Sequence, residues 1–236
     1  MNMKKRIIIL SGPSCVGKSP LINALKKVHP EVSFQMPILY TSRPPRSIET
    51  NGVDYYFRLE QDIRSYPPER FIVGQIRRIW QAIDLVEMQE LFVHSSLIIA
   101  EIYPTLGKLF IDHPLIRKLA ADFEVCTVFI SPASEDEIRA LQVNMGFASS
   151  GEAAAAIMLP KLICRTQQQG KLLTPDVLED LEMRASMAYE EMKMGENYTH
   201  HIVNHDGEDS NNWRYTPPMG DAGVTLRRFV DIIITQ

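Results

Sequence analysis

The sequence predicts an α/β fold with a parallel central sheet. Three observations carry this. A short β-branched run, Arg6–Ser11, ends abruptly in Gly12-Pro13. Further apolar runs of strand length stand at Leu97–Ile102 and Glu124–Ile130. Helix-periodic stretches follow each run, and strands alternating with helices imply parallel strands covered on both faces.

Taken in order, Arg6–Ser11 reads as a buried strand and Lys18–Val28 as a helix with Leu21, Ile22, Leu25 and Val28 on one face. Leu97–Ile102 and the segment near Thr105–Ala121 form the next strand and helix. Glu124–Ile130 and Ser134–Met145 repeat the pattern. Ser134 is a good N-cap, with Glu137 three residues on to complete a capping box. His201–Asn204 reads as a short last strand and Val224–Ile234 as a last helix. Two stretches interrupt the alternation. Residues 33–96, rich in Pro, Arg and Tyr, read as an inserted mixed α/β subdomain. Residues 146–195 are helical, with an Ala-rich turn and the run Gln167–Gln169. The core is then 1–32, 97–140 and 196–236 of a single domain. Asp206–Gly223 is polar and carries Gly and Pro, which predicts an exposed, mobile loop.

Composition narrows the function. Of 236 residues, 45% are hydrophobic and 23% charged, enough for a packed core. A net charge of −4 gives no bulk attraction to nucleic acid or anionic lipid, so neither is an expected partner and anion binding must be local. Lys4-Lys5-Arg6 followed by Ile7–Leu10 looks like the start of a secretion signal, but the apolar run stops at Ser11-Gly12-Pro13, too short for one. No stretch approaches a membrane span. Cys15, Cys126 and Cys164 are odd in number and widely spaced, which fits reduced thiols and a cytoplasmic protein.

Gly12-Pro-Ser-Cys-Val-Gly17-Lys18-Ser19 has the pattern of a phosphate-binding loop. Glycines let the backbone turn its N–H groups inward, and the following helix offers free N–H groups and a positive dipole end. Gly12, Ser14, Cys15, Val16 and Gly17 are the candidate cradle. Lys18 is placed for the outer phosphates of a nucleoside triphosphate, and Ser19 for Mg²⁺. Pro20 costs little, since early helix positions have no partner for the missing N–H.

A second basic motif follows. Thr41-Ser42-Arg43-Pro44-Pro45-Arg46 precedes Glu49-Thr50-Asn51-Gly52-Val53-Asp54-Tyr55-Tyr56-Phe57. Two arginines and a tyrosine hydroxyl suit a second phosphate, because guanidinium forks match phosphate oxygens. An exposed basic loop beside a packed aromatic strand reads the same residues without a ligand.

Together these motifs resemble those of the guanylate kinases, a family of P-loop nucleoside monophosphate kinases. Phe129-Ile130-Ser131-Pro132-Ala133-Ser134, Arg184, Glu191-Met192 and Ile202-Val203-Asn204 add to the resemblance. It implies a three-layer P-loop kinase fold, with 33–96 as the acceptor-binding subdomain and 141–195 as an extended helical lid. It implies ATP and Mg²⁺, and a phosphorylated small-molecule acceptor whose phosphate is held by Arg43, Arg46 and Tyr55. It also implies that Lys18 and Arg184 neutralise the transferring phosphoryl group, and that Asn204, with Asp206, approaches the adenine.

The pattern departs from the family around the acceptor base and the lid. Val73 stands where the family has a glutamate that reads guanine. Arg77-Arg78-Ile79-Trp80 replaces the turn that follows. Glu101 is the one carboxylate at a strand end where the family has two. Met145 falls near the first lid arginine, making Arg165 a candidate replacement, with a surface arginine as the other reading. If Phe71–Gln75 is a strand, Gln75 shares a face with Val73 and is placed to read another base, or guanine less strictly, or else faces solvent. The expected function is phosphotransfer from ATP to an altered acceptor. The alternative is a nucleotide-binding or regulatory module with weak or no transfer. His200-His201 reads as packing rather than a metal pair, because neighbours on a strand point to opposite faces. Trp213 and Tyr215 stand in the polar stretch either as a contact patch or as local packing.

Overall fold

The computed structural model describes residues 5–46, 49–119 and 123–234. Lys4 and the Ala120–Ala121 end of an expected helix lie outside them. The strands are β1 (Arg6–Ser11), β2 (Leu39–Thr41), β3 (Tyr55–Phe57), β4 (Phe71–Ile76), β5 (Ile79–Asp84), β6 (Leu97–Glu101), β7 (Glu124–Ser131) and β8 (His200–Val203). The helices are α1 (Lys18–Val28), α2 (Glu60–Arg64), α3 (Leu85–Glu90), α4 (Pro104–Asp112), α5 (Pro114–Leu119), α6 (Glu135–Met145), α7 (Ser150–Gln168), α8 (Pro175–Ser186), α9 (Ala188–Lys193) and α10 (Gly220–Ile234). The chain forms two compact units, one of residues 1–10 and 33–127, the other of residues 11–32 and 128–236.

In the first unit β1 and β6 run parallel, Ile8 opposite Ile99, and the N–H of Glu124 at the start of β7 donates to the carbonyl of Lys5. Ile7, Ile8, Ile9, Ile98 and Ile99 are all buried, as strands covered on both faces require. A second sheet has the order β3-β2-β5-β4. Its β4–β5 hairpin turns at Arg77-Arg78, with Arg77 at φ 56°. This sheet is the mixed insert expected at 33–96. The helix expected near Thr105–Ala121 is two helices, α4 and α5, because Pro114 cannot continue α4.

In the second unit β7 pairs parallel with β8, Ile130 opposite Ile202, which completes the sheet order β6-β1-β7-β8. Ser134 caps α6 in a full capping box with Glu137. The residues read as an Ala-rich turn are the interior of α7, with Ala153 and Ala154 fully buried. Alanine is the strongest helix former, and here its small side chain also lets α7 pack closely. The helix expected at Val224 starts earlier, at Gly220, because Asp206 accepts the Ala222 N–H and so satisfies a free donor of its first turn. Met158, Leu162, Leu181, Ala185 and Ala188 gather α7, α8 and α9 into one cluster. Among the described residues no single helix is long and apolar enough to cross a membrane.

Candidate functional site

The loop between β1 and α1 has the form that a phosphate cradle needs. Gly12, Cys15 and Gly17 have φ of 151°, 67° and 99°, the positive dihedrals that such a loop uses. Glycine is required at both ends. A Cβ on Gly12 would lie 2.2 Å from the Ile130 carbonyl oxygen, and one on Gly17 would lie 2.6 Å from the Asn204 amide. Lys18 curls over the loop, its Nζ donating to the carbonyls of Gly12 and Pro13 at 2.8 and 2.9 Å. Ser19 lies in the first turn of α1. An ammonium and a helix N-terminus in one place favour a polyanion.

Cys15 is a non-glycine residue in the left-handed region, a strained placement. Its side chain points into the α7–α8–α9 cluster, 2% exposed, with Sγ donating to the Lys161 carbonyl. Burial pushes its thiol up to about 12, against the pull of nearby Arg165. Cys126 is also buried, whereas Cys164 is part-exposed. We therefore expect a disulfide thiol reagent at pH 8 to label Cys164 rapidly and Cys15 only on unfolding. Mass spectrometry of the labelled peptides checks this.

Asn204 was expected beside the adenine. In the structure its side chain is fully buried, with the amide donating to the Val16 carbonyl at 2.8 Å. As placed it braces the cradle from behind. The loop after β8, expected to be exposed and mobile, is held at many points. Asp206 accepts from Ser210, Asn212 and the Ala222 N–H, and these bonds outweigh burial to hold its carboxyl below the usual range. The N–H of Glu208 donates to the Cys15 carbonyl, so the loop lies directly on the cradle.

Helix α7 grips this loop with three side chains. Lys161 donates to the His205 carbonyl, Arg165 to the Glu208 carboxylate at 2.9 Å, and Gln168 to the Asp209 carbonyl at 2.9 Å. Their spacing of four and three residues puts them on one helix face, a signal present in the sequence. Arg165 is 14% exposed at its side chain, so it is not a surface arginine, and it works here as a loop anchor. Arg184 pairs with Asp180 one turn earlier on α8. Met145, near the missing lid arginine, is 67% exposed at the end of α6.

His205 links three elements. One ring nitrogen meets Asp221 of α10 and the other meets Glu137 of α6 at 2.9 Å. Partial burial opposes its charge, but the two carboxylates win and raise its pKa. A raised folded-state pKa adds stability that is complete below the unfolded value near 6.5 and fades as pH rises through the folded value. The melting temperature of wild type minus that of His205→Gln is therefore expected to be larger at pH 6 than at pH 9, by differential scanning calorimetry.

In the first unit, Arg43 and Arg46 come together as the motif implied. Arg43 forms a two-pronged pair with Glu49 at 2.6 and 2.7 Å, and the Arg46 N–H also donates to Glu49. The Glu49 carboxylate offers Arg43 the two oxygens that a phosphate would. The Arg43 guanidinium lies over the Tyr55 ring, 4.9 Å from its centre. Burial and the charge of Glu101 raise the Tyr55 phenol, while Arg43 and Arg46 pull it down. Arg43, Arg46, Tyr55 and Glu101 thus form one electrostatic neighbourhood. The motif alone assigns Glu49 no role.

Gln75 is exposed on β4, opposite Trp80 of β5. Val73 packs on Ile63, Phe71 and Ala82, and lines a cavity of about 200 Å³ with Arg64, Tyr66, Phe71 and Leu109. Arg77 lies over Tyr103, and Trp80 lies under Arg64.

A parallel strand, a phosphate-shaped loop and a helix, joined in that order, define an α/β protein of the P-loop class. A sequence model described as guanylate kinase matches residues 4–73. The guanylate kinase of Synechococcus sp. (strain JA-3-3Ab) is 46% identical over 57 residues, 24% of this chain and 25% of that protein. That of Thermobifida fusca is 51% identical over 53 residues, covering 22% and 26%. These matches span only about a quarter of each relative's length. The guanylate kinase of Protochlamydia amoebophila is 26% identical over 210 residues, 88% of this chain and 86% of that protein. The crystal structure of guanylate kinase from Anaplasma phagocytophilum shares the fold, with a TM-score of 0.59 at 16% identity, covering 100% of this chain and 87% of that one. The chain is thus similar in sequence to guanylate kinases, over residues 4–73 by the family model, and shares the fold of one of them.

Proposed function

We propose that the chain is a phosphotransferase that moves the γ-phosphoryl group of ATP to a nucleoside monophosphate or similar phosphorylated acceptor in the cytoplasm. The observation that supports it best is the cradle, which keeps Gly12, Gly17, Lys18 and Ser19 in phosphate-binding form. In the reaction an acceptor phosphate oxygen bonds to the γ-phosphorus as the bond to the β–γ bridging oxygen breaks, and ADP leaves. Lys18 and the α1 N-terminus hold the donor's phosphates. Arg184 neutralises charge on the phosphoryl group in transit, and Arg43, Arg46 and Tyr55 orient the acceptor. Ser19 would hold Mg²⁺, whose charge offsets that of the β- and γ-oxygens. Such catalysis rests on positioning and electrostatics.

Guanine is not read in the family's way. Its adjacent N–H donors suit a carboxylate, and Val73 offers none. Leaving buried donors unpaired costs about 1–3 kcal/mol, or about 5–150-fold in kcat/KM. A panel of nucleoside monophosphates and small phosphorylated metabolites, assayed for ADP formation, is expected to rank GMP below the best acceptor by that margin. GMP at the head of the panel would show that another group reads guanine. The exposed Met145 and the apolar Val73 favour a second reading, a nucleotide-binding module with weak transfer. That reading predicts tight binding of an ATP analogue with no acceptor-dependent ADP formation.

A further inference from the structure

We infer that Trp213 is the platform on which the base of the donor nucleotide stacks, an inference that rests on the donor site proposed above. The indole lies beside the cradle: a Cβ built on Gly17 would come within 3.2 Å of its six-membered ring. Its orientation is fixed, because Nε1 donates to the Gly207 carbonyl at 2.6 Å. Gly207 is fixed in turn by its neighbours, since His205 and Glu208 are held by Lys161 and Arg165 of α7 and the Glu208 N–H meets the Cys15 carbonyl. The ring remains part-exposed, and among the described residues no other aromatic ring contacts it.

A nucleotide whose phosphates sit on the N-terminus of α1 must carry its base onto a surface close by. Gly17 is the cap of that helix, and the indole is the flat apolar surface packed against it. Reading of the base edge by Asn204 is blocked, because that side chain is buried with its amide on Val16. Stacking engages the π-face, which every base has, and so tolerates changes of base. The donor site therefore accepts adenine and guanine triphosphates with similar affinity, chosen by ring surface rather than edge pattern.

The test uses the Mg²⁺ complexes of non-hydrolysable ATP and GTP analogues. Calorimetric titration compares wild type, Trp213→Ala and Trp213→Phe. Indole emission is followed in Trp80→Phe, which leaves Trp213 as the sole tryptophan of the two in the chain. Both analogues are expected to quench the emission saturably. Trp213→Ala should weaken both by roughly tenfold or more, and Trp213→Phe by no more than about threefold, since a smaller ring still stacks. Analogues that bind wild type and Trp213→Ala equally, or bind without changing the emission, overturn the inference while leaving the donor site in place. If Trp213→Ala melts early, the emission titration decides alone. No binding to wild type removes the donor site and this inference with it.

Discussion

Lys18→Ala should lose binding of the Mg²⁺ complex of an ATP analogue by roughly 10²–10³-fold, and turnover at least as much, while the fold survives. Lys18 sets an ammonium against the cradle loop. In the free protein it donates to two carbonyls of that loop, Gly12 and Pro13. Each bond adds only about 1 kcal/mol of stability, so their loss leaves α1 and the sheet intact. The asymmetry between a small change in melting temperature and a large change in affinity is the signature of a ligand-binding residue. Calorimetric titration alongside thermal denaturation measures both. A folded Lys18→Ala variant with unchanged affinity would remove the cradle from the proposed reaction.

The second large effect separates two arginines. Arg165→Ala strands the Glu208 carboxylate in a half-enclosed site and is expected to cost about 2–4 kcal/mol of stability, somewhat below the value for a fully buried pair because Glu208 is 28% exposed. The double variant Arg165→Ala/Glu208→Ala should recover part of that loss, since no charge is then left unpaired. Arg184, 23% exposed at its side chain, pairs with the more exposed Asp180 at an i,i+4 position worth up to about 1 kcal/mol. Arg184→Ala should therefore melt near wild type and yet lose roughly 10²–10³-fold or more in kcat, as removal of an arginine that neutralises a transferring phosphoryl group does. Denaturation curves and steady-state kinetics on the three variants decide it. Arg184→Ala turning over at the wild-type rate would take that residue out of the reaction.

The cradle was the most legible part of the molecule. Arg6–Ser11 and Lys18–Val28 were readable to the residue because a buried strand, a glycine turn and an amphipathic helix each leave a local mark. The capping box at Ser134 and Glu137 was readable for the same reason. What escaped depended on contacts between distant residues. Asn204 has the same local sequence whether it faces a ligand or braces Val16, and only the 188-residue contact decides. The order of the loop after β8 comes from Asp206 collecting donors from Ser210, Asn212 and Ala222, which composition alone reads as mobility. Helix α7 was blurred because alanines, a proline and glutamines carry little periodicity, whereas the break before α5 was written plainly in Pro114.

The carboxylate of Glu49 in the fork of Arg43 makes binding there an exchange of one anion for another. A phosphate entering the fork displaces an internal ligand, so its apparent affinity is the difference between two ion pairs rather than the strength of one. A dianion gains on this exchange where a monoanion breaks even. On the proposed reading, the site would thereby favour phosphate monoesters over carboxylates and diesters of the same shape. It also keeps its arginines from drifting while empty, because their geometry is set before any ligand arrives.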